Sequence, residues 1–196
     1  GIAWEAVHRQ MQYRAVREAR DKGQMLLYVQ AVDLPPRPFG EEHYKAMLQV
    51  PNVNNTGHLI GMCPLYIGMR VRLNVKLSAK HQIVQDAVGK VVDVRFHPQE
   101  FETPGADWRE KKLHDAHRLG YYRCKRLPRC VLVKFDGFTE DLGFGEGVVQ
   151  IAPHRASWEW NPHYLDDGER KPRKGKGTRH QIPLLPEKVR TGQAAQ

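Results

Sequence analysis

The sequence predicts a mainly β chain with flanking α structure, and three observations carry that expectation. Short apolar segments separated by turn residues fill residues 58–155. Two of those segments alternate apolar and polar residues with period two. Helical periodicity is confined to the N-terminal stretch and two short charged segments. With 196 residues the chain can bury one good core or two small ones, and its 40% hydrophobic content predicts sizeable polar excursions.

From Ile2 to Lys22, Trp4, Val7, Met11, Ala15 and Ala19 recur at spacings of three and four while arginines occupy the other sides, which predicts an amphipathic helix stopped at Gly23. Met25 to Ala31 is apolar and short, a buried strand running into the Asp33-Leu34-Pro35-Pro36 loop. A short helix is expected over Glu41 to Leu48, and Asn52 to Gly57 is turn-rich. Strands are then expected at Leu59 to Met62, Leu65 to Leu77, Ala87 to Phe96, Cys130 to Phe135 and Val148 to Ala152, enough for a small barrel. The alternation is clearest in Met69 to Leu73 and Val92 to Phe96. Gly89 stands at a strand entrance, where a tight turn favours a residue without Cβ. Pro98 to Pro128 is too long for a hairpin and reads as a surface excursion carrying a charged helix, Asp107 to Leu119. Gly168 to His180, rich in Arg, Lys, Gly and Pro, reads as a mobile basic loop, and Gln181 to Leu185 as a short strand. The expected organisation is an α/β segment at 1–57, the barrel with its charged insertion (98–128) at 58–155, and the basic loop with return strand at 156–196.

Thirty-one Lys and Arg against 22 Asp and Glu, a formal charge of +9, favour a polyanionic partner. The cations concentrate in the excursion (Arg109, Lys111, Lys112, Arg118, Arg123, Lys125, Arg126, Arg129), beside Tyr121 and Tyr122, and in the basic loop that follows Trp158 and Trp160. Cations neutralise phosphates and aromatic faces stack on unpaired bases, so the combination suits single strands. Three cysteines, an odd and sparse count, argue against a disulfide scaffold and for a reducing, intracellular compartment. No apolar run approaches the length of a membrane span, so no membrane partner is expected. The start at Gly1 and stop at Gln196 read as cuts in a longer polypeptide.

Other chemistry is excluded on spacing. Cys124 and Cys130 are not a close pair, so a zinc site with His114 and His117 is not expected. Gly175-Lys176-Gly177-Thr178 imitates the end of a P-loop, but the earlier glycine and the lead-in strand are missing. No nucleophile elbow is present. No catalytic residues, metal or resident cofactor are expected.

Read together, Leu59 to Leu73 resembles the segment by which Pif-type helicases of superfamily one, related to RecD, enter their SH3-like barrel. Val88-Gly89-Lys90-Val91-Val92 is similar to the family's Gly-x-Val strand, and Val131 to Phe135 and Val149 to Pro153 to its next two. Arg179-His180-Gln181-Ile182-Pro183-Leu184 is similar to the Arg-x-Gln-x-Pro-Leu run where the chain returns to the second RecA-like domain. Tyr28 to Asp33 is similar to that domain's strand leading to the barrel. The resemblance implies a small SH3-like barrel of about five strands inserted in part of a RecA-like α/β domain. It implies a fragment of an ATP-dependent DNA helicase that binds single-stranded DNA and handles strands, with ATP and Mg bound elsewhere in the parent. The partners it implies are single-stranded DNA or other nucleic acid and the remainder of the polypeptide. It places the parent in the nucleus or mitochondrion if eukaryotic.

Charge and placement then make Arg70, Arg72, Lys90 and Arg95 on strands, and Lys125, Arg126, Lys174 and Lys176 on loops, the expected nucleic-acid contacts. Two departures qualify the resemblance. Gln85-Asp86 replaces the usual Asn-Gly, so a different turn must form. The terminal segment keeps Thr191 and Gln196 of a Thr-x-His-Lys-x-Gln-Gly motif but lacks its His and Lys, which implies a weakened or inactive motor. Two rival classes remain open on sequence: a stand-alone small-barrel nucleic-acid module, and a protein-interaction barrel.

Overall fold

The computed structural model describes residues 14–35, 47–48, 56–78, 81, 83–101, 121–160 and 175–187. Helix α1 (14–21) is the end of the amphipathic segment. Its Ala15 and Ala19 are buried, and it stops at Gly23, whose φ of 62° suits a residue without Cβ. Gln24 N–H donates to Ala19 O at 2.8 Å and Gly23 N–H to Arg20 O at 2.9 Å, a Schellman closure.

Eleven strands follow among the described residues: β1 (Leu26–Gln30), β2 (Val32–Leu34), β3 (Met62–Leu65), β4 (Arg70–Leu73), β5 (Val88–Arg95), β6 (Tyr121–Cys124), β7 (Cys130–Phe135), β8 (Val148–Ile151), β9 (His154–Trp160), β10 (Gly175–Gln181) and β11 (Leu184–Pro186). They form three sheets, ordered β3-β1-β6, β2-β10-β9 and β11-β4-β5-β7-β8. In the first, β1 is antiparallel to β3 and parallel to β6. Its central position explains the unbroken apolar run, since Leu26, Leu27 and Val29 are fully buried. The five-stranded sheet is antiparallel throughout. One hydrophobic core spans Ala15 to Leu185 and joins α1 to the β1 and five-stranded sheets.

The chain is mainly β, as the sequence predicts, but the five-stranded sheet does not close into a barrel: its outer strands β11 and β8 are not paired with each other. β11 is only three residues long and ends in Pro186, which has no N–H for a further ladder bond. β8 runs through Pro153 into β9 of another sheet. The expected strand Leu65 to Leu77 is divided, because Tyr66 to Met69 is a turn with Gly68 at φ 88° and Met69 N–H bonded to Tyr66 O at 3.0 Å.

The basic loop is also corrected. Its last six residues, from Gly175, belong to β10, an inner strand in which Gly177, Arg179 and Gln181 alternate inward. Composition concealed this, because the inward residues are a glycine and two polar side chains rather than hydrophobes. The excursion likewise ends in a strand, β6, which joins β1. Gly89 serves a purpose other than turning. The positive φ at that hairpin belongs to Asp86 (72°), whereas a Cβ on Gly89 would lie 2.6 Å from Lys134 O and 2.7 Å from Val133 Cγ1. The expected helix Asp107 to Leu119, most of that at Glu41 to Leu48, Lys174 and the Thr191 to Gln196 remnant lie outside the described residues.

Candidate nucleic-acid interface

Four of the expected contacts meet on the outer face of the five-stranded sheet. Arg70 stands opposite Lys90, and Lys90 opposite Lys134, a row of three cations across β4, β5 and β7. Arg72 lies two residues along the same face of β4. Arg95 follows Lys90 by five positions, so in a regular strand they would point to opposite faces. The bulge between Val91 and Asp93 restores the alternation: Arg95 pairs with Cys130 and Lys90 with Lys134, both on one face of β7. Lys134, the single polar residue of its strand, joins this row, although nothing in the sequence singles out its charge.

Charge on this face is largely answered from within. Arg70 donates Nη1 and Nη2 to the two oxygens of Asp136 and Nε to Glu187 at 2.8 Å. These bonds hold the Asp136 carboxyl below the usual carboxylate range. Arg72 lies 3.4 Å from Asp86, and Arg95 lies 3.1 Å from Asp93. Lys90 and Lys134 make no ion pair among the described residues. The adjoining β7–β8 loop adds Glu140, Asp141 and Glu146, all exposed. Around the cation row, acids therefore match or outnumber bases, and a phosphate chain gains little there.

The turn between β6 and β7 is different. Arg123, Lys125, Arg126 and Arg129 are all exposed within seven residues, and Arg129 N–H donates to Arg95 O at 2.7 Å, which brings Arg95 alongside. Among the described residues, the acids bonded to this group are Asp93, 3.1 Å from Arg95, and the buried Glu100. Glu100 holds the turn in shape. Its Oε1 accepts the Tyr122 hydroxyl at 2.6 Å and the Lys125 N–H at 2.7 Å, and its Oε2 accepts the Arg126 N–H at 2.9 Å. Burial, followed by the bond to Glu100, raises the Tyr122 hydroxyl pKa. Nothing in the sequence singled out Glu100, because an acid after Pro98-Gln99 reads as an ordinary surface turn.

Of the aromatics expected to stack, Trp158 is buried, with the Arg179 guanidinium 5.8 Å from its ring centre, and Tyr122 is buried against Glu100. Tyr121 is exposed, packed edge-to-face on Tyr28 with ring centres 5.3 Å apart. Lys176 is exposed on β10 opposite Glu159, on a different sheet from the other cations. Gly175 to Thr178 is strand, laddered to β9, so its backbone is not shaped to cradle a phosphate. Arg179 is fully buried and structural. Cys63, Cys124 and Cys130 are buried free thiols, and burial pushes Cys63 up to about 12, which leaves it unreactive at neutral pH. No cluster of metal-binding side chains occurs among the described residues, and none of their helices is long and apolar enough to cross a membrane.

No family model and no curated protein matches the chain. Among solved structures, a Pif1 helicase from Candida albicans aligns with a TM-score of 0.46 and 20% identity, over 91% of this chain and 33% of that one. A Pif1 helicase from Bacteroides in complex with ADP-AlF3 and ssDNA aligns at 0.41 and 14% identity, over 92% of this chain and 28% of that one. Bacteroides Pif1 bound to ssDNA aligns at 0.36 and 16%, over 82% and 24%. The chain thus spans 24–33% of the length of these helicase chains.

Proposed function

We propose that the chain is a segment of a Pif-type ATP-dependent DNA helicase that grips single-stranded DNA, while ATP and Mg are bound and ATP is hydrolysed by other parts of the parent polypeptide. The observation that carries the DNA reading is the β6–β7 turn, where Arg123, Lys125, Arg126 and Arg129 are exposed within seven residues, Arg95 is alongside, and few acids accompany them among the described residues. Phosphates displace counterions from such a patch, and the entropy of that release drives binding. The helicase reading draws on the ordered succession of motifs from Tyr28 to Leu184. Within it, the Arg and Gln of the Arg-x-Gln-x-Pro-Leu run are both buried keystones: Gln181 donates to Val29 O at 2.9 Å and Ile60 O at 3.1 Å.

Fluorescence anisotropy with a labelled single-stranded oligonucleotide at two salt concentrations tests the grip. Each phosphate contact contributes about 0.7 to the slope of log K against log salt on a single strand. The Lys125→Gln, Arg126→Gln double variant should therefore lower affinity and flatten the slope by about 1.4. Arg70→Gln, whose guanidinium is committed to Asp136 and Glu187, should change it far less. Salt-insensitive or absent binding by the unsubstituted chain rejects the reading. A stand-alone nucleic-acid module would use the same turn; a Walker A motif encoded upstream in the same reading frame separates the two.

A further inference from the structure

β6 alternates outward and inward strictly: Tyr121 and Arg123 are exposed, Tyr122 and Cys124 buried, and Lys125 continues the exposed row beyond the strand end. The strand is an outer member of its sheet, paired only with β1 among the described residues. Among the described residues, Tyr121 is also the one aromatic beside the basic turn whose ring is open to solvent; Tyr122 is turned inward, and Tyr28, against which Tyr121 leans, is buried. Phe144 is exposed too, but it lies between Asp141 and Glu146 on a loop that repels phosphates. Arg123 is steadied from β1 by the side chain of Gln30, to which it donates from Nη2.

We propose that this row is a single-strand track, on which Tyr121 stacks against an unpaired base and Arg123 and Lys125 engage the phosphates that flank it. The proposal rests on the reading of the chain as a single-strand binder and deepens it by naming the base contact. Tyr121 and Arg123 stand about 6.6–6.8 Å apart along the extended strand, and Lys125 follows on the bend that Glu100 holds. A stacked aromatic followed by cations in a line is the arrangement by which single strands are held without sequence preference. The Tyr28 ring braces Tyr121 from one side, so the platform is already oriented before a base arrives.

The test compares a labelled oligothymidylate with an abasic oligomer of the same length, using the whole chain. Tyr121→Leu keeps bulk against Tyr28 but has no ring; Tyr121→Phe keeps the ring. Loss of the stack should weaken oligothymidylate binding by about five- to a hundredfold in the Leu variant, leave abasic binding unchanged, and be absent in the Phe variant. Arg123→Gln with Lys125→Gln should weaken both oligomers equally. Melting curves confirm that each variant is folded, and the Phe variant reports on the ring should the Leu variant lose stability. If the Leu variant binds oligothymidylate as the unsubstituted chain does while the Gln variant binds both poorly, the track is wrong and the function stands. If the unsubstituted chain binds neither oligomer, the function falls and the track with it.

Discussion

Arg179 and Asp33 face each other across the β10–β2 ladder and join through both arms of the guanidinium, Nε to Oδ1 at 2.7 Å and Nη2 to Oδ2 at 2.8 Å, with Arg179 sealed from solvent. The remaining donors reach Leu59 O at 3.2 Å and Met47 O at 2.6 Å, so one side chain ties β10 and β2 to the backbone at Leu59 and Met47. Removing one member strands a charge in a dry interior, at about 3–5 kcal/mol. Asp33→Ala should therefore lower the urea midpoint sharply. Arg179→Lys should do nearly as much, because an ammonium lacks the planar fork. Replacing both partners by apolar residues should cost less than either single change. A double variant no more stable than the single ones contradicts this account.

Glu100 tests whether the basic turn is held or merely present. Glu100→Ala removes the acceptor of three donors, two of them the N–H groups of Lys125 and Arg126. Unmet buried donors cost about 1–3 kcal/mol, to be read from denaturant midpoints. Amide exchange at Lys125 and Arg126 should rise above the change seen in β7, because the turn loosens locally.

Gly89→Ala places a methyl group against the β7 backbone, 2.6 Å from Lys134 O and 3.0 Å from Phe135 Cα. Neither strand can retreat without breaking the ladder, so a loss of about 1–3 kcal/mol is expected. Gly137→Ala is a useful comparison, since nothing lies within 4 Å of its Cβ position and only its φ of 74° opposes the change. Calorimetry should rank Gly89→Ala as the more damaging of the two.

Alkaline pH should weaken the fold. Burial, and then the charge of Tyr121, push Tyr28 up to about 12; burial, and then the Glu18 hydrogen bond, do the same for Tyr66. The native state thus keeps a proton that the unfolded chain gives up near 10. Stability from these hydroxyls is complete below about 10 and is lost as pH rises through about 12. Tyr28→Phe should flatten that part of the profile of unfolding free energy against pH. An unchanged slope counts against the burial of Tyr28.

What the residues disclose in advance follows from their physics. β4 buries apolar side chains at alternate positions, and period two betrays it, whereas the bulge in β5 leaves Val92 exposed and β7, buried at Cys130 through Val133 and at Phe135, shows as an apolar run; α1 ends where a glycine permits the turn. β10 stays hidden because its inward side chains are Arg179 and Gln181, polar groups whose burial makes sense only once Asp33, Val29 and Ile60 are alongside. The same holds for the interface. Basic residues are visible in any sequence, but which of them already have acidic partners depends on pairings such as Arg70 with Asp136 and Glu187, far apart along the chain. Glu100 is the extreme case, a turn builder whose purpose appears only when Tyr122, Lys125 and Arg126 converge on it.

The strand that finishes the largest sheet is made long after its partner, and last among the described strands. β11 pairs with β4, so on a ribosome the β4 edge must wait, unpaired, for more than a hundred further residues to emerge before Leu184 reaches Leu73. Through that interval the nascent chain presents an adhesive rim to its neighbours. Assembly of this protein should therefore be slow and sensitive to crowding by its own copies, and a chaperone that shields that rim would raise its yield more than one that merely prevents collapse.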